Sequence, residues 1–528
     1  MRIASRYTPL GAAESRARAD GMLAWLRSFA EHRFSSRLMD ERRSVQPQTL
    51  LELGNRGFLG VQVEEKYGGL ALRNRDIARV LDQAAAIDLS LGTFLLVCLF
   101  PGIRPLAAFG SPLLRDEVLP DLARGRALAG YAQTEPGAGT HFNAMAATAV
   151  AGSDGRYRVS GEKVWIGNAQ WSNVLTVVAH DVDAGGRRRG LTAFAVKSDQ
   201  PGVRLGREMP SLGMRGVVQG EVSFHDVQVD RDHVVGEPKR GLEVGVDSMS
   251  WSRFAIAATC VGTLRRSLQL LERFAARREI ATGRLADHPT TRISLGLGAV
   301  RAEACAALLD VIADALDAGR EVEAELFAIA KIAGSEFCWD GADRLVQGLG
   351  SRGYDEANGV PQLLRDARVT RIFEGASEPL LAFVGAAALA PSSDLYRALR
   401  DELGAPGEAD ALGEAVARLR ARRLGGEPLS RPWQCALAGR AGMWAVLGAA
   451  LDATAASRPP AFHEHALAWA RGERAAACAD AAGGTREEAF LPAGAALEAA
   501  LAAVLAPIGD VEPQLPEERW ERDPLLRR

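Results

Sequence analysis

The stretch Leu364–Glu378, LRDARVTRIFEGASE, places one carboxylate, Glu374, at a tight Phe-Glu-Gly turn between two segments whose apolar residues recur at helical spacing. Val369, Ile372 and Phe373 supply apolar cover, and Gly375 permits a sharp turn or a close approach of the backbone to a ligand. A glutamate held among apolar groups has its pKa raised to roughly 6–7, where it can act as a general base near neutral pH. The same residues also read as a helix entry, with Glu374 ahead of Gly-Ala-Ser and stabilised by the helix dipole. A second candidate is the loop Thr134–His141, TEPGAGTH, whose hydroxyls, glycines and backbone N–H groups suit a phosphate or the edge of a heterocycle, or simply form a turn between strands. The run GLGSRG, with Gly348, Gly350 and Gly353, spells G-x-G-x-x-G. It follows a helical segment, 326–347, and not a strand, so it lacks the context of a dinucleotide fingerprint.

The elements that must position these residues fall into four blocks. Residues 1–128 read as a helical domain, with MLAWLRSFAEHRF and RDIARVLDQAAAIDLSLGTFLLVCLF apolar on at least one face. Within it, Phe94, Leu95, Leu96, Cys98 and Leu99 read as core or as the lining of an acyl pocket. Residues 129–238 carry short runs rich in β-branched and aromatic residues, YRVSGEKVWIG, VLTVVAHDV, LTAFAVKS and GEVSFHDVQVD, each bounded by Gly, Asp or Ser. They predict a discrete β domain. Residues 239–390 return to long amphipathic segments, expected over about 244–278, 291–318 and 322–349 with a last one after the Glu374 turn, and imply a second helical bundle. Residues 391–528 are again helical and Ala-rich, and ALGEAVARLRARRLGG is a basic amphipathic segment that either touches a membrane surface peripherally or is solvated. The expected class is α+β.

Composition narrows the function. A chain of 528 residues is long enough for two to four domains, and a net charge of −3 gives no electrostatic footprint for nucleic acid. The six cysteines lie far apart without C-x-x-C or zinc-like spacing, which fits reduced thiols in a cytoplasm and no metal. Arginine and alanine richness suits a GC-rich bacterial genome. The longest apolar cluster, Phe94 to Phe100, is far short of the roughly 20 residues of a membrane span, so a soluble protein is expected.

The order helical domain, β domain opening on TEPGAG, and helical domain closing on RDAR-x-x-x-I-F-E-G resembles the acyl-CoA dehydrogenase family over roughly residues 20 to 390. YAQTEPGAG at 131–139 looks like the family's flavin-loop signature, GEKVWIGNA at 161–169 like its second flavin motif, and QGLGSRGY at 347–354 like the loop that meets the cofactor of a neighbouring subunit. The tail resembles that of the very-long-chain branch, which implies a homodimer. The resemblance implies FAD as cofactor, an acyl-CoA or acyl-carrier-protein thioester as substrate, and an electron-transfer flavoprotein as acceptor. It gives Glu374 the removal of the α-proton, with the enolate oxygen held by the backbone N–H of Glu374 and a flavin hydroxyl while hydride leaves the β-carbon for flavin N5. Tyr131, Thr134, Gly139, Thr140, Trp165, Gly167, Arg278, Gln347 and Gly350 take cofactor positions, and Thr140, Arg253 and Gly375 substrate positions.

The sequence departs from the family at several of these. Gly167 stands where a threonine meets flavin N5, His141 where an aspartate ends the flavin loop, and Ala281, Pro289, Ala376 and Glu378 where Phe, Gln, Thr and Gln are usual. Some relatives carry the base on the long helix immediately before an arginine. Here that residue is Ser252, ahead of Arg253, so Glu374 has no rival. Two other readings use the same fold: a flavin oxidase or monooxygenase acting on a thioester, and a non-catalytic scaffold or assembly protein.

Overall fold

The computed structural model describes residues 1–183, 185–491 and 494–509. The chain opens with a two-residue strand, β1 (Arg2–Ile3), and then seven helices: α1 (Ala12–His32), α2 (Ser36–Arg42), α3 (Pro47–Asn55), α4 (Asn74–Ile87), α5 (Leu89–Val97), α6 (Arg104–Phe109) and α7 (Pro112–Ala123). Between α5 and α6 the chain forms a π-helical turn, Cys98–Ile103, at Pro101. Proline cannot donate the ladder hydrogen bond, and a π turn absorbs the resulting register change. The helical stretch Leu89–Phe109 is long and apolar enough by composition to cross a membrane, contrary to the sequence-based estimate, but it is mostly buried among other helices. Phe94, Leu95, Leu96, Cys98, Leu99 and Phe100 are all buried and belong to the main core.

Eight strands follow: β2 (Ala129–Ala132), β3 (Thr148–Ala151), β4 (Tyr157–Gly167), β5 (Val174–Val182), β6 (Arg188–Lys197), β7 (Val203–Glu208), β8 (Gln219–Val229) and β9 (Val234–Val235). They form one sheet in the order β7-β8-β4-β3-β5-β6-β9, and β2 pairs in parallel with the first half of β5 while β3 pairs in parallel with its second half. β5 is buried along its whole length, Thr176, His180 and Asp181 included, as an interior strand covered on both faces is, whereas β8 alternates over much of its length.

The second bundle comprises α8 (Gly241–Arg277), the hairpin β10 (Glu279–Ile280) and β11 (Gly283–Arg284), α9 (Pro289–Asp317), β12 (Val322–Glu323), α10 (Ala324–Leu349), α11 (Ser351–Tyr354), α12 (Val360–Thr370) and α13 (Ser377–Ala388). Residues 322–323, expected to begin a helix, instead pair antiparallel with β1. The pairing joins the chain's start to the second bundle, and the buried ion pair of Arg104 with Asp247, Nε to Oδ1 2.8 Å, closes over it with Arg104 also donating to the carbonyls of Ala4 and Ser5. Neither contact is local, so no window of sequence reveals it.

The last block holds α14 (Asp394–Arg397), α15 (Pro406–Ala421), β13 (Arg423–Leu424), β14 (Glu427–Pro428), α16 (Arg431–Ala453), α17 (Pro460–Gly483) and α18 (Gly494–Leu505). The basic amphipathic segment is α15. Its apolar residues Leu412, Val416 and Leu419 are buried within the domain, so that face is already occupied and is not presented to a membrane.

Helix α16 crosses α13 at glycines. A methyl added at Gly385 would run into the Cys435 carbonyl, and one at Gly439 into the Leu381 carbonyl, so the two backbones touch. Gly385→Ala is expected to destabilise this packing by about 2 kcal/mol, because overpacking outweighs alanine's better helix propensity. Chemical denaturation checks it, with Gly413→Ala as control, since a methyl there meets only the Tyr396 ring at 3.9 Å.

Candidate active site

Glu374 lies on the link between α12 and α13, and its backbone is left-handed at φ 54°, followed by Gly375 at φ 98°. A left-handed non-glycine residue stores roughly 1–3 kcal/mol, so surrounding contacts must hold it. Four sets of contacts do so. Arg253 of α8 donates from Nε to the Glu374 carbonyl at 3.1 Å, and Lys331 of α10 donates from Nζ to the Gly375 carbonyl at 2.7 Å. Glu336 of α10 accepts from Arg371 Nε at 2.8 Å and from Ser377 Oγ at 2.6 Å, so it grips both ends of the turn, and the Ser377 amide closes it on the Arg371 carbonyl at 3.2 Å.

Burial pushes the Glu374 carboxyl up to about 7, and Arg253 and Lys331 act against that rise. Oε2 is shut off from solvent and makes no hydrogen bond. The helix-entry reading does not fit these facts. Glu374 precedes α13 by three residues, and a dipole-stabilised carboxylate would be lowered, not raised. Ser252 is no alternative base, because its hydroxyl donates to the Ser248 carbonyl at 2.9 Å inside α8. Ser250 is fully buried and donates likewise to the Val246 carbonyl at 2.8 Å.

Tyr131 on β2 is buried. Burial and the nearby Glu374 charge both raise its phenol, which stays protonated and donates to Gln133 Oε1 at 2.7 Å. Thr134 follows at the mouth of the loop, its carbonyl accepting from the Val164 amide of β4 at 2.9 Å. The loop itself is fixed from beneath by Glu135. Its carboxylate accepts from the amides of Ala146 and Ala147 and from Lys163 Nζ at 2.7 Å, and Lys163 is fully buried. Above this anchor Gly137, Gly139 and Thr140 are exposed, and a methyl added at either glycine would touch nothing.

Trp165 sits where the β4–β8 register slips between Lys163 and Ile166. Its φ is 58° and the residue is 53% exposed. A tryptophan held in strained backbone with its ring in the open is not part of the core. Gly167, two residues on, packs against α5, where an added methyl would lie 2.7 Å from Val97 Cγ1. Val97 occupies the space that a side chain at position 167 would need.

The remaining positions are not brought to Glu374. Arg278 is exposed at the end of α8, twenty-five residues beyond Arg253, or about 37 Å along a helix rising ~1.5 Å per residue. Gln347 and Gly350 are exposed at the end of α10, where Gly350 adopts φ 60°, ψ −135°. These two ends meet, since a methyl at Gly348 would strike Leu271 of α8 at close to contact-forbidding range. The site residues thus form two groups at different places on one chain.

Three domain signatures match in the order of the fold: acyl-CoA dehydrogenase N-terminal domain over residues 19–126, middle domain over 130–227 and C-terminal domain over 239–389. The chain belongs to the acyl-CoA dehydrogenase family. It is 30% identical over 415 residues to the very long-chain specific acyl-CoA dehydrogenase of Rattus norvegicus, an alignment that takes in 74% of this chain and 61% of that protein. The chain therefore spans less than two thirds of the length of the curated relatives it matches. Among solved structures it resembles a glutaryl-coenzyme A dehydrogenase in complex with glutaryl-CoA, at 25% identity and TM-score 0.65 over 71% of this chain and 94% of that one. An acyl-CoA dehydrogenase from Bacillus anthracis complexed with FAD has 20% identity and TM-score 0.71, covering 98% and 95%. That likeness extends the shared fold to the C-terminal helices.

Sequence reasoning passed over Lys331, Glu336, Gln133, Val97 and the Lys163–Glu135 pair. One signal was available for the first: Lys331 is the lone charge in LFAIAKIAG. The raised Glu374 carboxyl has a thermodynamic signature. Its folded-state pKa lies above the unfolded one, so it adds stability below about 4.5 that is lost as pH rises through about 7. Relative to Glu374→Gln, the wild type is expected to lose up to about 3 kcal/mol between pH 4.5 and 8, measured by denaturant midpoints across that range.

Proposed function

We propose that this protein is a flavin-dependent dehydrogenase that converts an acyl-CoA thioester to its trans-2-enoyl thioester, with Glu374 as the base. The observation that carries this reading is the Glu374 turn: a carboxylate whose Oε2 is shut off from solvent and unpartnered, with its pKa raised to about 7. A base must be ionised yet unsatisfied to take a weakly acidic proton, and a carboxylate pKa near the working pH serves that purpose. The backbone N–H of Glu374 would hold the thioester oxygen as enolate charge develops, and the fixed turn would keep that donor in place without reorganisation.

The residues present fit FAD. Trp165 offers an exposed indole face for a planar ring, the open loop at Gly137, Gly139 and Thr140 offers backbone amides and a hydroxyl, and Tyr131 and Thr134 stand at its base. FAD, when bound, supplies the acceptor for the hydride from the β-carbon. Arg253, already held on the Glu374 carbonyl, would hold the turn as the thioester binds, and Gly375 and Thr140 are assigned to the same substrate. Arg278, Gln347 and Gly350 are too far along their helices to serve the same cofactor. They are assigned to the FAD of a second copy, which supports a homodimer, and Arg278 supplies a fork suited to its pyrophosphate. An electron-transfer flavoprotein fits as acceptor, and the free thiols suit a reducing cytoplasm.

A second reading, a flavin oxidase or monooxygenase acting on a thioester, draws support from Gly167. With Val97 methyls in place of a hydroxyl, no side chain at 167 can hydrogen-bond the flavin edge.

Anaerobic addition of a long-chain acyl-CoA to the FAD-loaded protein is expected to bleach the flavin absorbance. Glu374→Gln is expected to retain FAD and bleach at least about a hundredfold more slowly. A wild-type protein that stays yellow with every acyl-CoA but consumes oxygen with another thioester favours the second reading, and one that takes up no FAD leaves only the scaffold. Arg278→Ala is expected to lower FAD retention on gel filtration while leaving the melting profile of the apoprotein unchanged.

A further inference from the structure

Lys331 is fully buried in the first half of α10, and among the described residues its ammonium donates to the Gly375 carbonyl. An ammonium has three donors and is expensive to desolvate, so an apolar residue of similar volume would fill this place at lower cost. Stability alone therefore gives no reason for a lysine here. That hydrogen bond falls on the residue that follows Glu374, in the left-handed turn.

We propose that Lys331 is a positioning residue for Glu374: its ammonium anchors the turn through the Gly375 carbonyl and, with Arg253, supplies the positive charge that favours the ionised carboxylate. The inference rests on Glu374 being the base. The groups that face Glu374 are Arg253 of α8, Lys331 of α10 and Tyr131 of β2. Those that face Lys331 are Cys260 and Arg253 of α8, Glu374 of the turn and Glu336 of its own helix, and Glu336 is engaged by Arg371. Lys331 is pushed down to about 8 by burial, so it is still charged at neutral pH, where the base must act. Arg253 reaches the turn on the preceding carbonyl, so the two cations bracket the Glu374–Gly375 peptide from different helices.

Two variants separate anchor from charge. Lys331→Gln keeps an N–H donor without the charge, and Lys331→Met keeps neither. The titration of Glu374 is followed directly in the FAD-loaded protein by the infrared carbonyl band of its protonated form, isolated as the difference from the same protein carrying Glu374→Gln. Both variants are expected to move that midpoint up by about one pH unit. The acid limb of the anaerobic bleaching rate is expected to move by the same amount. At the alkaline plateau Lys331→Gln is expected to stay within about threefold of wild type and Lys331→Met to fall at least tenfold. An unchanged infrared midpoint in both variants overturns the charge role, and an equal plateau in Lys331→Met overturns the anchor. The infrared titration needs no turnover, so a wild type that never bleaches refutes the dehydrogenase reading and still leaves Lys331 tested. If Lys331→Met does not fold, Lys331→Gln alone decides the charge role.

Discussion

The rest of the site depends on a two-residue left-handed turn kept in place by cations on its carbonyls. Glu374 at φ 54° and Gly375 at φ 98° would relax if their surroundings allowed it. Arg253 and Lys331 prevent this from two helices, and Glu336 ties the flanks. The same cations act on the carboxylate electrostatically. Burial raises its pKa and the charges oppose that, which leaves the group close to neutral pH and unsatisfied. Backbone geometry and proton affinity are therefore set by one group of contacts.

The turn is placed in space by Asp366, on α12 just upstream. Its buried carboxyl accepts from Ser90 Oγ of α5 at 3.0 Å and from the Met214 amide of the β domain, so a single residue joins the first helical domain, the β domain and the second bundle close to Glu374 in the chain. Burial, with Asp88 adding to it, pushes this carboxyl up to about 7. The neighbouring Arg365 pairs with Asp40 of α2 at 2.8 Å. On the opposite side, Lys163 and Glu135 do for the exposed loop what Lys331 does for the turn: a buried charge pair fixes an irregular backbone whose outer surface is left free.

The departures from the family pattern look different in three dimensions. Gly167 is not an empty place, since Val97 fills it. His141 is exposed and lies between the two ends of the loop that Glu135 ties together, and Ala376 and Glu378 flank a turn whose geometry is secured by Ser377 and the cations. None of them disturbs the contacts that hold Glu374.

The sequence by itself determined the class of each block, because periodicity of 3.6 and 2 is a local property. It also singled out Glu374 as the candidate base, because the residue is set at a glycine turn among apolar residues and its motif partners keep their order. The family followed from that order. What only the tertiary structure decided were the matters that depend on residues far apart in the chain. The strand Arg2–Ile3 forms only because Val322–Glu323 is there to receive it. The apolar face of α15 is internal because α16 and α17 cover it. Trp165 is exposed and not core because a register slip turns it outward. Lys331 reads as one odd charge in an apolar helix until the fold brings the Gly375 carbonyl to 2.7 Å. A pKa or a strained φ is set by everything within a few ångströms, and that neighbourhood is assembled by folding from segments that no stretch of sequence contains together.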